Sequence, residues 1–293
     1  MVITKLKGGL GNQMFQYAFG RAIACIHGVP LKLDLTWFRN TGNDTPRKYE
    51  LNHFNVMEMF ASNEEIKEVL KERKFINKVS RVGKSLVPFS WRSYVSETNP
   101  KFDENKLNLR SNVYLEGVWW NERYFKSIET LIKKEFQLKD RSDETNMSIA
   151  EKISSVNSIG IHVRRGDYVS NQKANEYHGL CSLDYYLKAI AEIERKVMEP
   201  HFFLFSDDPQ WLKDNLKIKS SASHVIHNSP NRGYEDLKLM SLCKHNIIAN
   251  SSFSWWAAWL NANPDKIIYA PSKWSNNGAL KSKDCLPEHW ITI

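Results

Sequence analysis

The hydrophobic positions of this chain change period repeatedly, from every second residue to every third or fourth, and each change marks an element. Residues 1–6 carry a strand pattern, which the run Gly8-Gly9-Leu10-Gly11-Asn12-Gln13 interrupts. Residues 14–26 are largely apolar and predict a helix, with Gly28 as its C-cap and Pro30 beyond it. Leu31, Leu33 and Leu35 then alternate with Lys32 and Asp34, a second strand that completes a strand–helix–strand opening. Polar residues 39–50 predict a loop. Residues 63–84 predict a helix capped by Ser62 or Asn63, with Glu64 and Glu65 in its first turn. Residues 113–120 predict a strand running into Trp119-Trp120-Asn121-Glu122-Arg123-Tyr124-Phe125, and a helix returns over 128–136.

The polar run 139–148 predicts a linker, dividing the chain into domains at 1–145 and 146–293. In the second half Ile159, Ile161 and Val163 alternate as a buried strand that ends in His162-Val163-Arg164-Arg165-Gly166-Asp167-Tyr168. A loop to residue 180 follows, then a helix from Ser182 as N-cap to about residue 197. A strand over 201–205 stops at Ser206-Asp207-Asp208-Pro209, and a short helix covers 211–216. Val225 and Ile226 mark a further strand, and Glu235 and Asp236 open a helix that runs to Cys243. A strand over 246–249 meets Asn250-Ser251-Ser252-Phe253-Ser254-Trp255-Trp256, and 267–270 reads as the last strand. Strands alternating with helices in both halves predict an α/β protein with a parallel sheet in each. No internal repeat or low-complexity segment interrupts the pattern.

Composition narrows the class. The chain has 293 residues, which suits two domains of about 150 residues each. A hydrophobic content of 42% with 12% aromatics excludes a disordered chain. Met1-Val2-Ile3-Thr4-Lys5-Leu6 lacks the charged and apolar regions of a signal peptide, and no apolar run nears the ~18 residues that span a bilayer. The expectation is a cytoplasmic protein. Cys25, Cys181, Cys243 and Cys285 are widely spaced and form no Cys-x-x-Cys pair, which argues against a disulfide scaffold or zinc knuckle. In a chain expected to stay out of the secretory route, the sequons at Asn43, Asn146 and Asn250 carry no meaning. The net charge is +8 and is concentrated. Between residues 66 and 92, Lys67, Lys71, Arg73, Lys74, Lys78, Arg81, Lys84 and Arg92 outweigh Glu68 and Glu72. Such a stretch suits a solvated helix face, an anionic membrane surface or nucleic acid.

Candidate chemistry collects at strand ends. Arg164 and Arg165 sit where ligands bind in open α/β sheets, and guanidiniums hold phosphate bidentately. The alternative is a structural turn in which Asp167 pairs with an arginine. Ser206, Asp207 and Asp208 close a second strand, and Ser251 and Ser252 open a helix where N–H and hydroxyl groups can meet a phosphate. Parallel strands would bring these ends to one rim. Asp207-Asp208 raises a Mg²⁺ reading, but adjacent side chains point apart and Pro209 suggests a turn, so no metal is expected. Trp255 and Trp259, four residues apart, read first as core and second as a sugar platform. The glycines Gly9 and Gly11 suit an anion at a helix N-terminus. Met14 takes the place of the third glycine of a dinucleotide fingerprint, and no Walker-A lysine follows.

The motifs Gly8-Gly9-Leu10-Gly11-Asn12-Gln13-Met14-Phe15-Gln16-Tyr17, His162-Val163-Arg164-Arg165-Gly166-Asp167-Tyr168, Phe205-Ser206-Asp207-Asp208 and Asn250-Ser251-Ser252-Phe253-Ser254-Trp255-Trp256 together resemble glycosyltransferase family 11, the α-1,2-fucosyltransferases, in its bacterial form. Residues 39–112 hold no matching motif. The resemblance implies a GT-B fold, two Rossmann-like domains facing across a cleft, with the acceptor on the first and GDP-fucose mainly on the second. It implies inverting transfer of L-fucose from GDP-β-L-fucose to the 2-OH of a terminal galactose, without a metal or other cofactor, in surface polysaccharide or oligosaccharide synthesis. It places Arg164 on the β-phosphate, His162 near the guanosine and Asp236 on the guanine edge, fifteen residues before Ser251.

The donor set expected is Gly9, Gly11, His162, Arg164, Arg165, Ser206, Asp207, Asp236, Asn250, Ser251 and Ser252. Arg164, Asn12 and Asp167 are the catalytic candidates: donors for the departing diphosphate, and a carboxylate to take the acceptor proton unless it instead orients an arginine. The expected partners are GDP-fucose and a galactose-terminated acceptor, with a lipid-linked acceptor and peripheral contact at the inner membrane face suggested by the basic segment. A transferase for another GDP-sugar is the main alternative. A basic nucleic-acid-binding protein lacks any RNP, zinc or helix-turn-helix signature, so no nucleic-acid partner is expected. A tryptophan-rich lectin would need no arginine pair at a strand end.

Overall fold

Val2 and Ile3 are fully buried in β1 (Val2–Lys5), the centre of the first sheet. The computed structural model describes residues 1–42, 45–79, 88–276, 278 and 280–293, and of residues 72–79, 89, 167, 170, 173 and 174 the backbone alone. After β1 comes α1 (Leu10–His27), buried around most of its circumference because it is apolar on nearly every side. Gly9 is its N-cap, so Gly11 and Asn12 lie in the first helical turn, where the sequence reading had placed a loop. Its end is Gly28, at φ 60°, whose N–H reaches the carbonyls of Ala24 and Cys25. β2 (Leu31–Asp34) pairs in parallel with β1.

Ser62 opens α2 (Asn63–Val79) with a capping box: its hydroxyl accepts from the Glu65 N–H, and Glu65 accepts from the Ser62 N–H. The predicted extension of this helix to residue 84 lies outside the described residues. β3 (Tyr94–Ser96), β4 (Val113–Glu116) and α3 (Glu129–Glu135) complete the first unit. Its sheet runs β2-β1-β4-β3, with every pairing parallel. The strand predicted to continue to Trp120 stops at Glu116, because Gly117 and a left-handed Trp119, at φ 68°, turn the backbone away.

The chain divides into units Met1–Lys139 and Asp140–Ile293. The second begins almost at once with α4 (Glu144–Ser155), capped by Asp143, whose carboxylate accepts from the Asn146 N–H at 2.8 Å. Much of the run expected to be linker is therefore helix. β5 (Asn157–Val163) follows. The predicted loop after it holds two short helices, α5 (Gly166–Ser170) and α6 (Gln172–His178). α7 (Leu183–Lys196) is capped by Ser182, and its Ala189, Ile190 and Ile193 pack on the sheet.

The remaining elements are β6 (Pro200–Ser206), α8 (Pro209–Asn215), β7 (Ala222–Val225), α9 (Gly233–Leu242), β8 (His245–Ile247), α10 (Ser252–Leu260), β9 (Ile268–Ala270), α11 (Ser282–Cys285) and β10 (Ile291–Thr292). The second sheet is parallel throughout, in the order β10-β9-β8-β5-β6-β7. Ile159, Ile161, Phe202, Leu204 and Ile247 fill the space between its central strands and the covering helices. Trp255, Trp256 and Trp259 are buried in mutual ring contact, which settles the core reading for that helix. Among the described residues no helix is long and apolar enough to cross a membrane.

Candidate functional site

Strands β8, β5 and β6 are consecutive and parallel, so their carboxyl ends lie on one rim. The β5 end supplies Arg164 and Arg165, and the β6 end receives them. Arg164 Nη1 lies 2.8 Å from Asp207 Oδ2, and Arg165 Nε lies 3.1 Å from Asp208 Oδ2. The backbone N–H of Arg165 also donates to Asp207 at 2.7 Å. Each aspartate thus pairs with one guanidinium, as expected of adjacent residues that point apart. Asp208 further caps α8 by accepting from the Trp211 N–H, and Pro209 opens that helix. Ser206 Oγ in turn accepts from the Asp208 N–H at 2.9 Å. Gly166 is required here: a Cβ would lie 2.5 Å from Asp207 Oδ2. The Arg165 guanidinium is stacked 4.2 Å from the Trp211 ring, whereas Arg164 lies over Tyr168 at 5.4 Å. A guanidinium carries five donors, so the pairing of Arg164 with Asp207 is compatible with a phosphate as a second acceptor.

The turn from β8 into α10 comes to the same place. Tyr168 Oη donates to the Asn250 carbonyl at 3.4 Å, and the Tyr168 ring stacks on His178. The Asn250 amide donates to the carbonyls of His178, Gly179 and Trp274, and its Oδ1 accepts from Cys181. Asn250 therefore fixes the loops around the turn with its own side chain. Ser251 is the N-cap residue of α10 but makes no side-chain cap bond, so its hydroxyl is not spent on the helix. Ser252 is the first helical residue.

His162 is 4% exposed and packs 5.4 Å from the Phe253 ring in the first turn of α10. Its Nδ1 is buried with no hydrogen-bond partner. Burial, with Arg164 nearby, pushes its pKa down to about 4 against the opposing pull of Asp207, so the ring is neutral at pH 7. An unpartnered polar atom at such depth is costly.

α9 packs against α10, and Gly233 is the first residue of α9. Asp236 is in that helix's first turn. Burial raises its pKa to about 6 even though Asn228 donates to it at 2.7 Å. The same Asn228 amide donates to Asn146, which His227 and Asp143 also engage. Sequence reasoning missed Asn228, Asn146 and Phe253. Phe253 lies inside a motif between two serines, but nothing in the sequence gives its contact with His162.

In the first unit, Gly9 and Gly11 begin α1. Asn12 accepts from the Trp120 indole N–H at 3.2 Å. Gln13 was missed as a functional position. It is fully buried, donates to the carbonyls of Gly8 and Lys48, and accepts from the Glu50 N–H, so it ties the glycine turn to the segment around Glu50. The side chain of Asp167 lies outside those described. Among the described residues, no group of three or more His, Cys, Asp or Glu side chains could hold a metal ion.

The comparisons with known proteins bear on the whole chain. The model of glycosyl transferase family 11 matches residues 1–293. An alpha-1,2-colitosyltransferase of Escherichia coli is 35% identical over 303 aligned residues, covering 100% of this chain and 99% of its own length. The O-antigen biosynthesis glycosyltransferase WbnK of Escherichia coli is also 35% identical, over 98% of this chain and 99% of its own. Among solved structures, that of NodZ alpha-1,6-fucosyltransferase soaked with GDP-fucose matches with a TM-score of 0.53 at 17% identity. It covers 92% of this chain and 94% of that one, and the likeness is one of fold, the GT-B type.

Proposed function

The chain belongs to glycosyl transferase family 11, and we propose that it moves L-fucose from GDP-β-L-fucose to the 2-hydroxyl of a terminal galactose with inversion, in surface-polysaccharide assembly. The observation that carries this reading is the single rim where Arg164, neutral His162 and the N-terminus of α10 lie, with Asp236 in the first turn of α9, the helix packed against α10.

Each group has a task that the chemistry needs. Guanine offers N1–H and N2–H on one edge, and the Asp236 carboxylate accepts both, which adenine cannot match. His162, neutral at pH 7, is the residue proposed to lie near the nucleoside. As the fucosyl–phosphate bond breaks, negative charge grows on the diphosphate, and preorganised donors aimed there are usually the largest catalytic contribution. Arg164 supplies a permanent charge and a planar fork, steadied by Asp207. Ser251, Ser252 and the N-terminus of α10 supply dipolar donors. Arg165, Ser206 and Asn250 hold the rim in shape. Gly9, Gly11 and Asn12 are the contribution proposed for the first unit, the acceptor side. Asp167 is proposed as the base that takes the 2-OH proton. No metal is assigned, because both aspartates at the β6 end are already neutralised by arginines.

A second donor has specific support. A relative at 35% identity is named an alpha-1,2-colitosyltransferase, and colitose is fucose without its 3-hydroxyl. The same rim would hold GDP-colitose equally well, since nucleotide and diphosphate are unchanged. Turnover with GDP-fucose, GDP-colitose and GDP-mannose, each with a β-galactoside, separates the readings: fucose is expected to lead, and preferred transfer of another sugar would displace it.

A further inference from the structure

We propose that the indole of Trp120 is the platform on which the acceptor's galactose ring stacks, and that Glu97 is the residue that positions it. The inference rests on the glycosyl transfer proposed above and concerns the first unit alone. Trp120 stands just past the carboxyl end of β4, where ligands collect in parallel sheets. The turn that carries it is built under constraint. Trp119 has φ 68°, a region that bulky residues seldom adopt and that recurs at functional sites. Gly117 has no room for a side chain, since a Cβ would lie 2.5 Å from the Glu97 Cβ and 2.7 Å from the Trp119 ring. Glu97 accepts from the Val118 N–H at 2.6 Å and the Trp119 N–H at 3.1 Å, which locks both peptides of the turn.

Behind the turn, Lys106 is 5% exposed, with its ammonium 5.1 Å from the Trp119 ring and 5.8 Å from that of Tyr124. It is the charge that answers Glu97, whose carboxyl burial raises above the usual range. Trp119 itself is fully buried against Phe19 and Tyr124. One tryptophan is thus consumed as an anchor, and its neighbour is turned the other way. Trp120 is half-buried, its indole N–H is fixed on Asn12 at 3.2 Å, and its ring contacts no other ring or cation among the described residues. A rigid indole with an unused π-face suits the apolar C–H face of β-galactose, because the face of the ring is electron-rich and the C–H hydrogens are electron-poor. The hydroxyls at the edge of such a sugar would then reach the turn that holds Asn12.

The test uses the full chain with GDP-fucose and methyl β-D-galactoside, in the wild type, Trp120→Leu, Trp120→Phe and Glu97→Gln. Trp120→Leu should raise the acceptor KM roughly tenfold or more with the donor KM unchanged, and Trp120→Phe, which keeps a face, should lie between. Glu97→Gln should move the acceptor KM in the same direction at full donor affinity, a split that mere loss of stability would not produce. Saturation-transfer NMR with methyl β-D-galactoside and GDP should show saturation on one face of the sugar in the wild type and not in Trp120→Leu. An unchanged acceptor KM in Trp120→Leu, a rise in donor KM instead, or no saturation transfer in the wild type would overturn the platform. If GDP-fucose gives no product yet the wild type shows one-sided saturation that Trp120→Leu loses, the platform stands and the fucosyl reading fails.

Discussion

Asp236 and Arg164 bear the proposal at the scale of single residues. Asp236 must be ionised to accept from guanine, and burial holds its pKa up at about 6, above the ordinary value of 3.8. The sign follows directly. Its contribution to folding stability is fully present below pH 3.8 and is lost as pH rises through about 6, whereas its capacity to bind guanine appears over the same rise. GDP affinity measured by calorimetry should therefore fall by roughly tenfold per unit as pH drops below about 6. Asp236→Asn should remove the carboxylate's share of that dependence, leaving only that of the GDP terminal phosphate, and weaken GDP at pH 7 by about 1.5–3 kcal/mol, the worth of a charged hydrogen bond. A folded Asp236→Asn variant with unchanged GDP affinity would leave Asp236 as part of the Asn228 and Asn146 network only. Arg164→Lys keeps the charge but loses the fork that meets Asp207 and phosphate together. Its turnover should fall almost as far as that of Arg164→Ala, about 3–4 kcal/mol in barrier, with the fold intact by circular dichroism. A lysine variant of near wild-type turnover would remove the bidentate role. Arg164 was a candidate from its place after an alternating run, and Asp236 only through the family resemblance, which puts it fifteen residues before Ser251. The sequence could not reveal that His162 carries an orphan nitrogen or packs on Phe253, because both depend on contacts between distant segments.

Among elements, legibility follows length and capping. α1 and α7 were readable from their apolar patterns and from Gly28 and Ser182, and the central strands β5 and β6 from runs long enough to show a period. β3 and β10, of three and two residues, are too short to show one, and their partners alone define them. The polar run after residue 139 looked like a linker because α4 is amphipathic and its first turn is wholly polar, with Asp143 as cap. The start of α1 was misplaced because glycines there suggested a loop, yet Gln13 holds Gly8, Lys48 and Glu50 in place around it. Gln13→Leu leaves those buried backbone groups without partners. It should destabilise the protein by about 3 kcal/mol in a denaturant melt, at 1–3 kcal/mol for each unpaired group. A loss below about 0.5 kcal/mol would show that water takes over the glutamine's bonds. α2 presents exposed Lys67 and Lys71, while Lys74 and Lys78 have side chains outside those described. If this helix draws the enzyme to anionic lipid, replacing the four lysines by glutamine should weaken co-sedimentation with anionic vesicles by about 1 kcal/mol per charge. Equal binding of the variant would make the segment a solvated face.

At the scale of the whole molecule, two parallel α/β units were legible from the alternation of strands and helices, and the second sheet places three motif-bearing strand ends side by side. That placement brings the three motifs of the second unit to one rim, while the glycine motif belongs to the first unit. The acceptor was not legible, since the resemblance left residues 39–112 without a motif and Glu97, Lys106 and Trp120 become one arrangement only in the fold. Charge supplied by arginines and a helix N-terminus predicts turnover that persists in excess EDTA. Activity abolished by the chelator and restored by Mg²⁺ would assign the diphosphate to a metal instead. The most direct measurement of the central claim is the structure of the product, read by NMR after incubation with GDP-fucose and a β-galactoside. The account predicts a single α-linked fucose on the galactose 2-hydroxyl, formed with inversion and with release of GDP. A fucose on any other hydroxyl, retention at the anomeric centre, or transfer from GDP-mannose but not GDP-fucose would contradict it.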